Sequence, residues 1–271
     1  MTRRSTTLVL ILMLPLVPAT LAPQAPRYTA AALACARFSE QVESAIHGES
    51  GGRPRDDTGG RSAVWRVRSV AGAGPAFEIE AWYESLDIWR TTNDVRRSPD
   101  TDGIIGGRYR GSLTELGAYA ASARPFVPDE VAEFADLRDA FADLLPALPD
   151  RPLRPGESWR DGQATVIQRL GDSLASSRRI QRFRLERETD RRDTTLVVRD
   201  TVPVPLRQHT VESGEFSWEP ERGLLGRVRR ITVSTDIPAG RGLRYPVRSR
   251  LVQRVVVVRL PDVPDACRNS R

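Results

Sequence analysis

The chain is poor in the residues that build most metal and nucleotide sites. Among its 271 residues there are two histidines and two cysteines, and all 41 basic residues are arginine. Zinc sites of the histidine and cysteine type need about four such ligands, and the two cysteines are expected to be bonded to each other, so this inventory excludes them. The segment Gly72-Ala73-Gly74 lacks both the third glycine of a dinucleotide loop and the lysine of a Walker loop. We therefore expect no metal and no cofactor.

Long apolar runs are absent outside the first 22 residues. Arg3 and Arg4 precede an apolar run over Leu8–Val17, and small residues follow it, which is the pattern of a secretory signal peptide. The run is too short to cross about 30 Å of hydrocarbon, and prolines interrupt it. We predict a signal peptide over residues 1–22 and a short linker over residues 23–34.

The leader predicts that the working protein lies outside the cytoplasm. We expect it in the periplasm or the extracellular space, with peripheral attachment to the envelope left open. No other stretch approaches 18 apolar residues, so no transmembrane span is expected in the mature chain. Pro23 disfavours cleavage directly after Ala22, and cleavage near Ala30–Ala34 is the alternative.

The excess of positive charge is mild, with 41 basic against 35 acidic residues and a net charge of +6. Arginine-rich stretches such as Arg227–Arg230 are also found in proteins that bind nucleic acids. Elsewhere, as in Arg184–Arg192, the arginines are interleaved with acids. In an exported protein this pattern favours a solvated, salt-bridged strand face. Nucleic acid is therefore not an expected partner.

The two cysteines, Cys35 and Cys267, lie near opposite ends of the mature chain. An even number of cysteines in an oxidising compartment predicts a disulfide, which would tie the first strand to the last. The competing interpretation is lipidation of Cys35, because Ala32-Leu33-Ala34-Cys35 is similar to a lipoprotein box. Against it, prolines and Arg27 separate this segment from the apolar run.

Alternating patterns predict a mainly β (α+β) fold. We expect an antiparallel curved sheet or half-barrel of about ten strands, forming a single domain over residues 35–267. Two β-meander halves, 35–127 and 157–262, would be joined by a helix and a proline-rich crossover over residues 146–156. The polar, glycine-rich segment Gly48–Arg61 predicts a loop or a long hairpin tip.

One amphipathic helix is predicted over residues 128–145. Pro128 followed by Asp129 and Glu130 is typical of a helix start. Apolar residues then recur at helical spacing and form a stripe on one side. The stripe consists of Val131, Phe134, Leu137, Phe141, Leu144 and Leu145.

The segment Gly171-Asp172-Ser173-Leu174 spells the nucleophile block of one family of lipases and esterases. That chemistry needs a histidine base oriented by a carboxylate. The chain offers only His47 and His209, and neither has the preceding aspartate of that family. A turn is therefore the favoured interpretation, and a serine hydrolase using Ser173 is a remote alternative.

The segment from Asp100 to Gly103 is similar in pattern to a calcium-binding loop. In the EF-hand frame, positions one and twelve fall on Ser98 and Tyr109, so both terminal carboxylates are missing. A tight turn is favoured, and a looser calcium site at Asp100 and Asp102 stays open.

Five tryptophans have strand-like neighbours and are candidates for lining a ligand site. Aromatic residues on strands more often form core or cross-strand pairs, and this is the favoured interpretation. The candidates are Trp65, Trp82, Trp89, Trp159 and Trp218.

A short motif at the midpoint carries a family resemblance. Leu148-Pro149, a spacer, and Gly156-Glu157-Ser158-Trp159 resemble the midpoint of exported bacterial β-rich proteins of unknown function. More weakly, the layout of long strands and a covering helix is similar to periplasmic half-barrel carriers of lipids and lipoproteins. The first resemblance implies no activity, and the second concerns architecture alone.

These observations together predict a non-enzymatic exported envelope protein. It would bind an amphipathic ligand, such as a lipid, or an envelope protein on a concave sheet face. The alternative is a structural or assembly module with a filled core and no cavity. The sequence leaves the ligand and the oligomeric state open.

Overall fold

A computed structural model describes residues 25–70, 76–162, 164–175, 178–197, 202–240 and 243–261. Its elements are α1 (Ala30–Leu33), β1 (Arg37–Ser50), β2 (Arg53–Val70), β3 (Ala76–Thr92), β4 (Val95–Arg97), β5 (Tyr109–Thr114), β6 (Tyr119–Ala123), α2 (Asp129–Ala132), β7 (Ser158–Arg160), β8 (Thr165–Ala175), β9 (Arg178–Val197), β10 (Val202–Glu219), β11 (Gly223–Ile237) and β12 (Val247–Arg259).

The strands form one antiparallel sheet with the order β6-β5-β3-β2-β1-β12-β11-β10-β9-β8-β7, and β4 pairs with β3 beside this path. Strands β1–β6 make one meander and strands β7–β12 make the second. The two meanders meet where β1 pairs with β12, from Phe38 opposite Arg259 to Ser50 opposite Val247. The predicted mainly β fold is confirmed, as an open sheet of twelve strands.

Side-chain alternation gives this sheet two different faces. On β1, Phe38, Glu40 and Val42 are buried, whereas Ser39, Gln41 and Glu43 between them are not. Directly paired residues point to the same side of a sheet, so the register extends this division to the neighbouring strands. We call the side of Phe38 the covered face and the side of Glu43 the open face.

The covered face packs against the amino-terminal segment and the chain between β6 and β7. Trp65, Tyr83, Tyr109 and Phe141 form an aromatic cluster, with the Trp65 and Tyr83 rings 3.9 Å apart. The Tyr109 hydroxyl donates to the Leu137 carbonyl at 2.6 Å. This contact fastens the connection onto the core.

The described part of the predicted linker belongs to this packing. Tyr28 and Leu33 are fully buried, and the Tyr28 ring meets Trp218 edge-on at 4.9 Å. The Tyr28 hydroxyl donates to the Pro146 carbonyl at 3.0 Å. Residues 25–34 therefore pack as part of the domain. Residues 1–24, which include the predicted signal peptide, lie outside the described residues.

The predicted helix over 128–145 is wrong in extent, although most of its apolar stripe is buried as expected. Only Asp129–Ala132 is helical, and turns follow it. The Asp136 carboxylate accepts from the Arg138 N–H at 3.0 Å, a local bond that competes with helix formation. Side chains from the sheet also bind carbonyls of this segment, including Arg227 on the Asp143 carbonyl at 2.9 Å. Tertiary contacts thus override the helical spacing.

The segment Gly48–Arg61, predicted as a loop or a long hairpin tip, is the tip of the β1–β2 hairpin. Strands β1 and β2 continue to a tight turn at Gly51 and Gly52, which have φ of 61° and 72°. Gly60 lies inside β2 where an added Cβ would come 2.6 Å from the Val42 carbonyl oxygen and 2.8 Å from the Trp89 ring. Glycine at this position lets the Val42 carbonyl and the Trp89 ring approach the backbone of β2 closely, and it does not mark a loop.

No helix within the described residues is long and apolar enough to cross a membrane.

The buried tyrosines predict alkaline sensitivity. Burial raises the pKa of Tyr28 and Tyr83 well above the usual range and raises that of Tyr109 to about 12. In the unfolded chain these groups ionise near pH 10, so the unfolded state loses protons first and stability falls as the pH rises above 10. Each such tyrosine contributes about 1.4 kcal/mol per pH unit until its folded pKa is reached.

Urea unfolding at pH 9, 10.5 and 11.5 measures this loss. Tyr83→Phe, which keeps the buried ring, should make the decline less steep, whereas Tyr245→Phe at an exposed position should leave it unchanged. A native unfolding free energy that stays constant up to pH 11.5 would contradict the prediction.

Candidate functional site

The open face carries valines that nothing in the described structure covers. Val211, Val228 and Val258 are 41%, 45% and 45% exposed, on the neighbouring strands β10, β11 and β12. Val252 and Val256 on β12 lie between them and are half-buried. The register places these side chains on one side of the sheet in two groups, Val228 with Val256 and Val258, and Val211 with Val252. The row of Arg230 and Arg254 lies between the groups, and Thr232 lies between Val211 and Val252. We call these five residues the valine strip.

Two depressions lie side by side on the open face. The first, about 870 Å³, is lined by residues of β2, β1, β12, β11, β10 and β9, including His47, Arg250 and His209. The second, about 820 Å³, is lined by residues that include Ala45, Val228 and Val252. The first depression spans six neighbouring strands, about 24 Å of sheet. The concave face expected from the sequence stays a prediction, which these two depressions support.

Five exposed arginines on the open face make no ion pair with another described residue. They stand around the two depressions and belong to four adjacent strands, β9 to β12. We call them the unpaired arginines. They are Arg192, Arg207, Arg230, Arg250 and Arg254.

Other arginines on the same face are neutralised. Arg182 lies 2.9 Å from a Glu215 carboxylate oxygen, and Arg184 lies 3.9 Å from the other oxygen. Arg248 lies 3.5 Å from Asp236. The expected salt-bridged strand face is therefore present in part. Arginines exceed carboxylates by one in the lining of each depression, five against four in the first and four against three in the second.

Both histidines of the chain lie at the first depression. The His47 Nδ1 is 2.8 Å from the Asp56 carboxylate, and the His209 Nδ1 is 2.9 Å from the Asp190 carboxylate. The sequence patterns did not predict these two pairs, because they give no strand register. The β1–β2 and β9–β10 registers, which no short motif reveals, create both pairs.

The structure separates Ser173 from both histidines. Ser173 pairs with Ile180 on β9, whereas His209 pairs with Asp190, ten residues further along that strand. At about 3.3 Å per residue this is a separation of about 30 Å, far beyond the reach of a base. His47 lies in the same cross-strand row as His209. The geometry therefore opposes the hydrolase alternative at Ser173.

The neighbouring Asp172 has a structural role in the same hairpin. It contacts the guanidinium groups of Arg169 and Arg179. Partial burial acts to raise the pKa of Asp172, but the hydrogen bonds from the two arginines outweigh it and lower that pKa. The Gly-Asp-Ser segment is therefore part of a salt-bridged strand.

The loop at Asp100 and Asp102 is a turn. The Asp100 carboxylate accepts from the Asp102 N–H at 2.9 Å, and the Thr101 hydroxyl donates to the Leu86 carbonyl at 2.6 Å. Within the described ranges, no group of three or more histidine, cysteine, aspartate or glutamate side chains is arranged to hold a metal ion.

The five tryptophans lie outside the two depressions of the open face. Trp65 and Trp218 are fully buried in the core, and Trp159 packs against it. Trp82 lies under the Arg108 guanidinium, 3.5 Å from the ring centre, and Trp89 lies under Arg96 at 4.7 Å. Trp89 also lines a smaller pocket of about 320 Å³.

Cys35 lies between α1 and β1, and its predicted partner Cys267 lies outside the described residues. The Leu260 N–H donates to the Arg37 carbonyl at 2.9 Å, so the end of β12 comes close to Cys35. The disulfide stays a prediction.

Comparison with known proteins finds no matching family model and no matching curated sequence. Comparison with solved structures finds a lipovitellin, from a study of lipid–protein interactions in that protein. It has 10% sequence identity over 89% of this chain and a TM-score of 0.45. The beta domain of the Bordetella autotransporter BrkA has 11% identity, 83% coverage of this chain and 98% of its own, and a TM-score of 0.24.

A DUF1329 family protein from Desulfovibrio piger has 9% identity over 85% of this chain and 88% of its own, with a TM-score of 0.16. This chain spans 26% of the lipovitellin chain, about a quarter of its length. All three TM-scores are below 0.5, so no function is inferred from these structures.

Proposed function

We propose that the protein is a non-enzymatic binding protein of the cell envelope that holds an anionic amphipathic ligand on its open face. The observation that supports this most is the valine strip and the unpaired arginines standing together on one face of the sheet. The leader in the sequence supports the location at the envelope.

The valine strip suits the apolar part of such a ligand. Its two groups of valines are partly exposed on one face, and exposed apolar patches are a common mark of a binding site. Covering it removes apolar area from water, at about 25 cal/mol per Å². Ala45 adds to the apolar lining of the second depression and lies directly opposite Val252.

The unpaired arginines suit the anionic part. Guanidinium groups bind carboxylates and phosphates through paired, directional hydrogen bonds. Arg230 and Arg254 face each other across β11 and β12 and border the second depression, next to Val228 and Val252. An anion held there would keep its apolar chain on the valine strip.

Binding of the fluorescent carboxylate 11-(dansylamino)undecanoate tests this function. The native protein should bind it saturably, and Arg230→Gln/Arg254→Gln should weaken binding about fivefold to tenfold, as expected for two exposed charge contacts. The matched control is Arg138→Gln, which removes an exposed arginine from the connection on the covered side.

Two results would oppose the proposal. The absence of saturable binding to the native protein would leave a structural or assembly module as the better explanation. Equal dissociation constants for the native and double-variant proteins would show that the open-face arginines do not hold the ligand.

A further inference from the structure

The only two histidines of the chain lie in one cross-strand row of the open face. The strand registers place six side chains side by side, from β2 to β9. In order they are Asp56, His47, Arg250, Ser234, His209 and Asp190. All six line the first depression. The row is therefore a single surface that combines both histidines with one unpaired arginine.

Each histidine is held in the same way. The ring Nδ1 faces an aspartate, at 2.8 Å for His47 and 2.9 Å for His209. This leaves Nε2 as the ring atom available to a ligand. The His209 Nε2 lies 3.7 Å from the Glu188 carboxylate, which is beyond hydrogen-bond distance.

Charged groups of both signs face the two histidines from every neighbouring strand. Around His47 they are Glu49 on β1, Asp56 on β2, and Arg248 and Arg250 on β12. Around His209 they are Glu188, Asp190 and Arg192 on β9, Arg207 on β10, and Asp236 on β11. Arg192, Arg207 and Arg250 are unpaired, so the depression retains donors for an anion.

We propose that this row is a binding site for a phosphodiester headgroup and that it binds more tightly when the two histidines are protonated. The inference rests on the proposed function and names the anion that the open face takes. A protonated imidazole donates from both nitrogens, so Nδ1–H bonds the aspartate while Nε2–H can donate to a phosphate oxygen. At His209 the phosphate would compete with the Glu188 carboxylate, which lies 3.7 Å from Nε2. His47, Arg250, Ser234 and His209 then present a continuous series of donors.

The arrangement fits binding better than hydrolysis. Ser234 lies opposite His209 in the register, but no hydrogen bond joins the two side chains in the described structure. Backbone N–H groups in the paired strands around them are used by the sheet ladder, so they are not available to form an oxyanion hole beside Ser234. A tetrahedral anion with several acceptor oxygens matches the donors that remain.

The test uses dihexanoylphosphatidylglycerol below its micelle concentration, because its phosphodiester keeps one negative charge throughout the experiment. Calorimetric titration of the native protein at pH 8.0 and pH 5.5 should show about fivefold to tenfold tighter binding at pH 5.5. His47→Gln/His209→Gln should keep the affinity seen at pH 8.0 and lose the increase. Arg138→Gln should behave as the native protein.

Two further probes separate the possible sources of the headgroup. Dihexanoylglycerol, which has no phosphate, should show no dependence on pH. Dimethyl phosphate, which has no apolar chains, should bind more weakly than the lipid but with the same dependence on pH. If dimethyl phosphate bound as tightly as the lipid, the row would be a site for free phosphodiesters, and the lipid headgroup would be ruled out as its specific ligand.

The outcomes distinguish the two proposals. An equal increase on acidification in the native and double-histidine proteins would overturn this inference and leave the proposed function standing. Failure of the lipid to bind at either pH, together with failure of the dansyl carboxylate, would overturn both. Binding of the dansyl carboxylate but not of the lipid would overturn this inference alone.

A second measurement does not depend on the folding of a variant. Because the chain has two histidines, long-range ¹H–¹⁵N spectra of the native protein resolve each ring nitrogen. At pH 7, saturating lipid should increase the protonated fraction of both imidazoles, since a ligand that prefers the charged form shifts the proton equilibrium toward it. Unchanged ring signals on saturation would overturn the inference.

Discussion

Replacing Glu212 with glutamine should lower the free energy of unfolding by about 3–5 kcal/mol, because it removes one partner of a buried ion cluster. The Glu212 carboxylate lies 3.2 Å from Arg227 and 3.3 Å from Arg229, and all three side chains are less than a tenth exposed. Burial, followed by the neighbouring Arg229 guanidinium, lowers the pKa of Arg227 to about 10. Without Glu212, two cations would share a site with little water.

The matched control for this change is Glu215→Gln. Glu215 lies three residues further along β10, on the open face, where it pairs with Arg182 and both side chains are about half exposed. Its removal should cost about 0–1 kcal/mol. Urea unfolding of both variants compares the two sites directly, and equal losses would contradict the assignment of Glu212 as the buried counter-ion.

Replacing Cys35 with serine should lower the free energy of unfolding by about 5 kcal/mol. The bridge predicted to Cys267 would close a loop around almost the entire described domain, and long loops gain most from closure in the chain-entropy model. The bond from the Leu260 N–H to the Arg37 carbonyl brings the end of β12 close to Cys35, as such a bridge requires.

Three comparisons test the bridge. Cys267→Ser should cost as much as Cys35→Ser, and the double variant should cost no more than either alone. Reducing agent should destabilise the native protein and leave the variants unchanged. A mass increase of an acyl chain on Cys35, with no effect of reducing agent, would establish lipidation in place of the disulfide.

Strand content could be read from the sequence because burial on a two-faced sheet imposes an alternating pattern. The segment with Phe38, Glu40 and Val42 shows the limit of this prediction. The alternating pattern predicts the strand, but the burial of the Glu40 carboxylate depends on its partners. The carboxylate accepts from Arg61 at 2.8 Å and from the Trp65 indole at 3.0 Å. Those partners come from β2, so local sequence could not reveal them.

In the connection over 128–145 the pattern predicted which residues are buried but not the backbone conformation. Its apolar spacing matched a helix, and Val131, Leu137 and Phe141 are indeed buried. The spacing recorded which residues face the core, but the backbone follows bonds to Tyr109 and Arg227 on the sheet. A periodic pattern therefore predicted burial better than it predicted conformation.

The candidate site was largely hidden from sequence analysis. Local patterns single out the tryptophans and Ser173, which lie outside the two depressions. The row of His47, Arg250 and His209 draws on three strands that are distant in sequence, and only the register aligns them. The unpaired arginines likewise can be identified only from the structure, because it shows which other arginines form ion pairs.

The junction of the two meanders has a consequence for how the sheet is assembled. Ser39 and Val258, which touch across the middle of the sheet, are 219 residues apart in the chain. Each meander can form from neighbouring hairpins, but the part of the open face shared by β1 and β12 requires the most distant pairing in the fold, which is the slowest kind to form. We therefore expect the junction of β1 and β12 to be completed last. A circular permutant that is opened within residues 146–156 and has β1 joined to β12 should fold faster than the native chain.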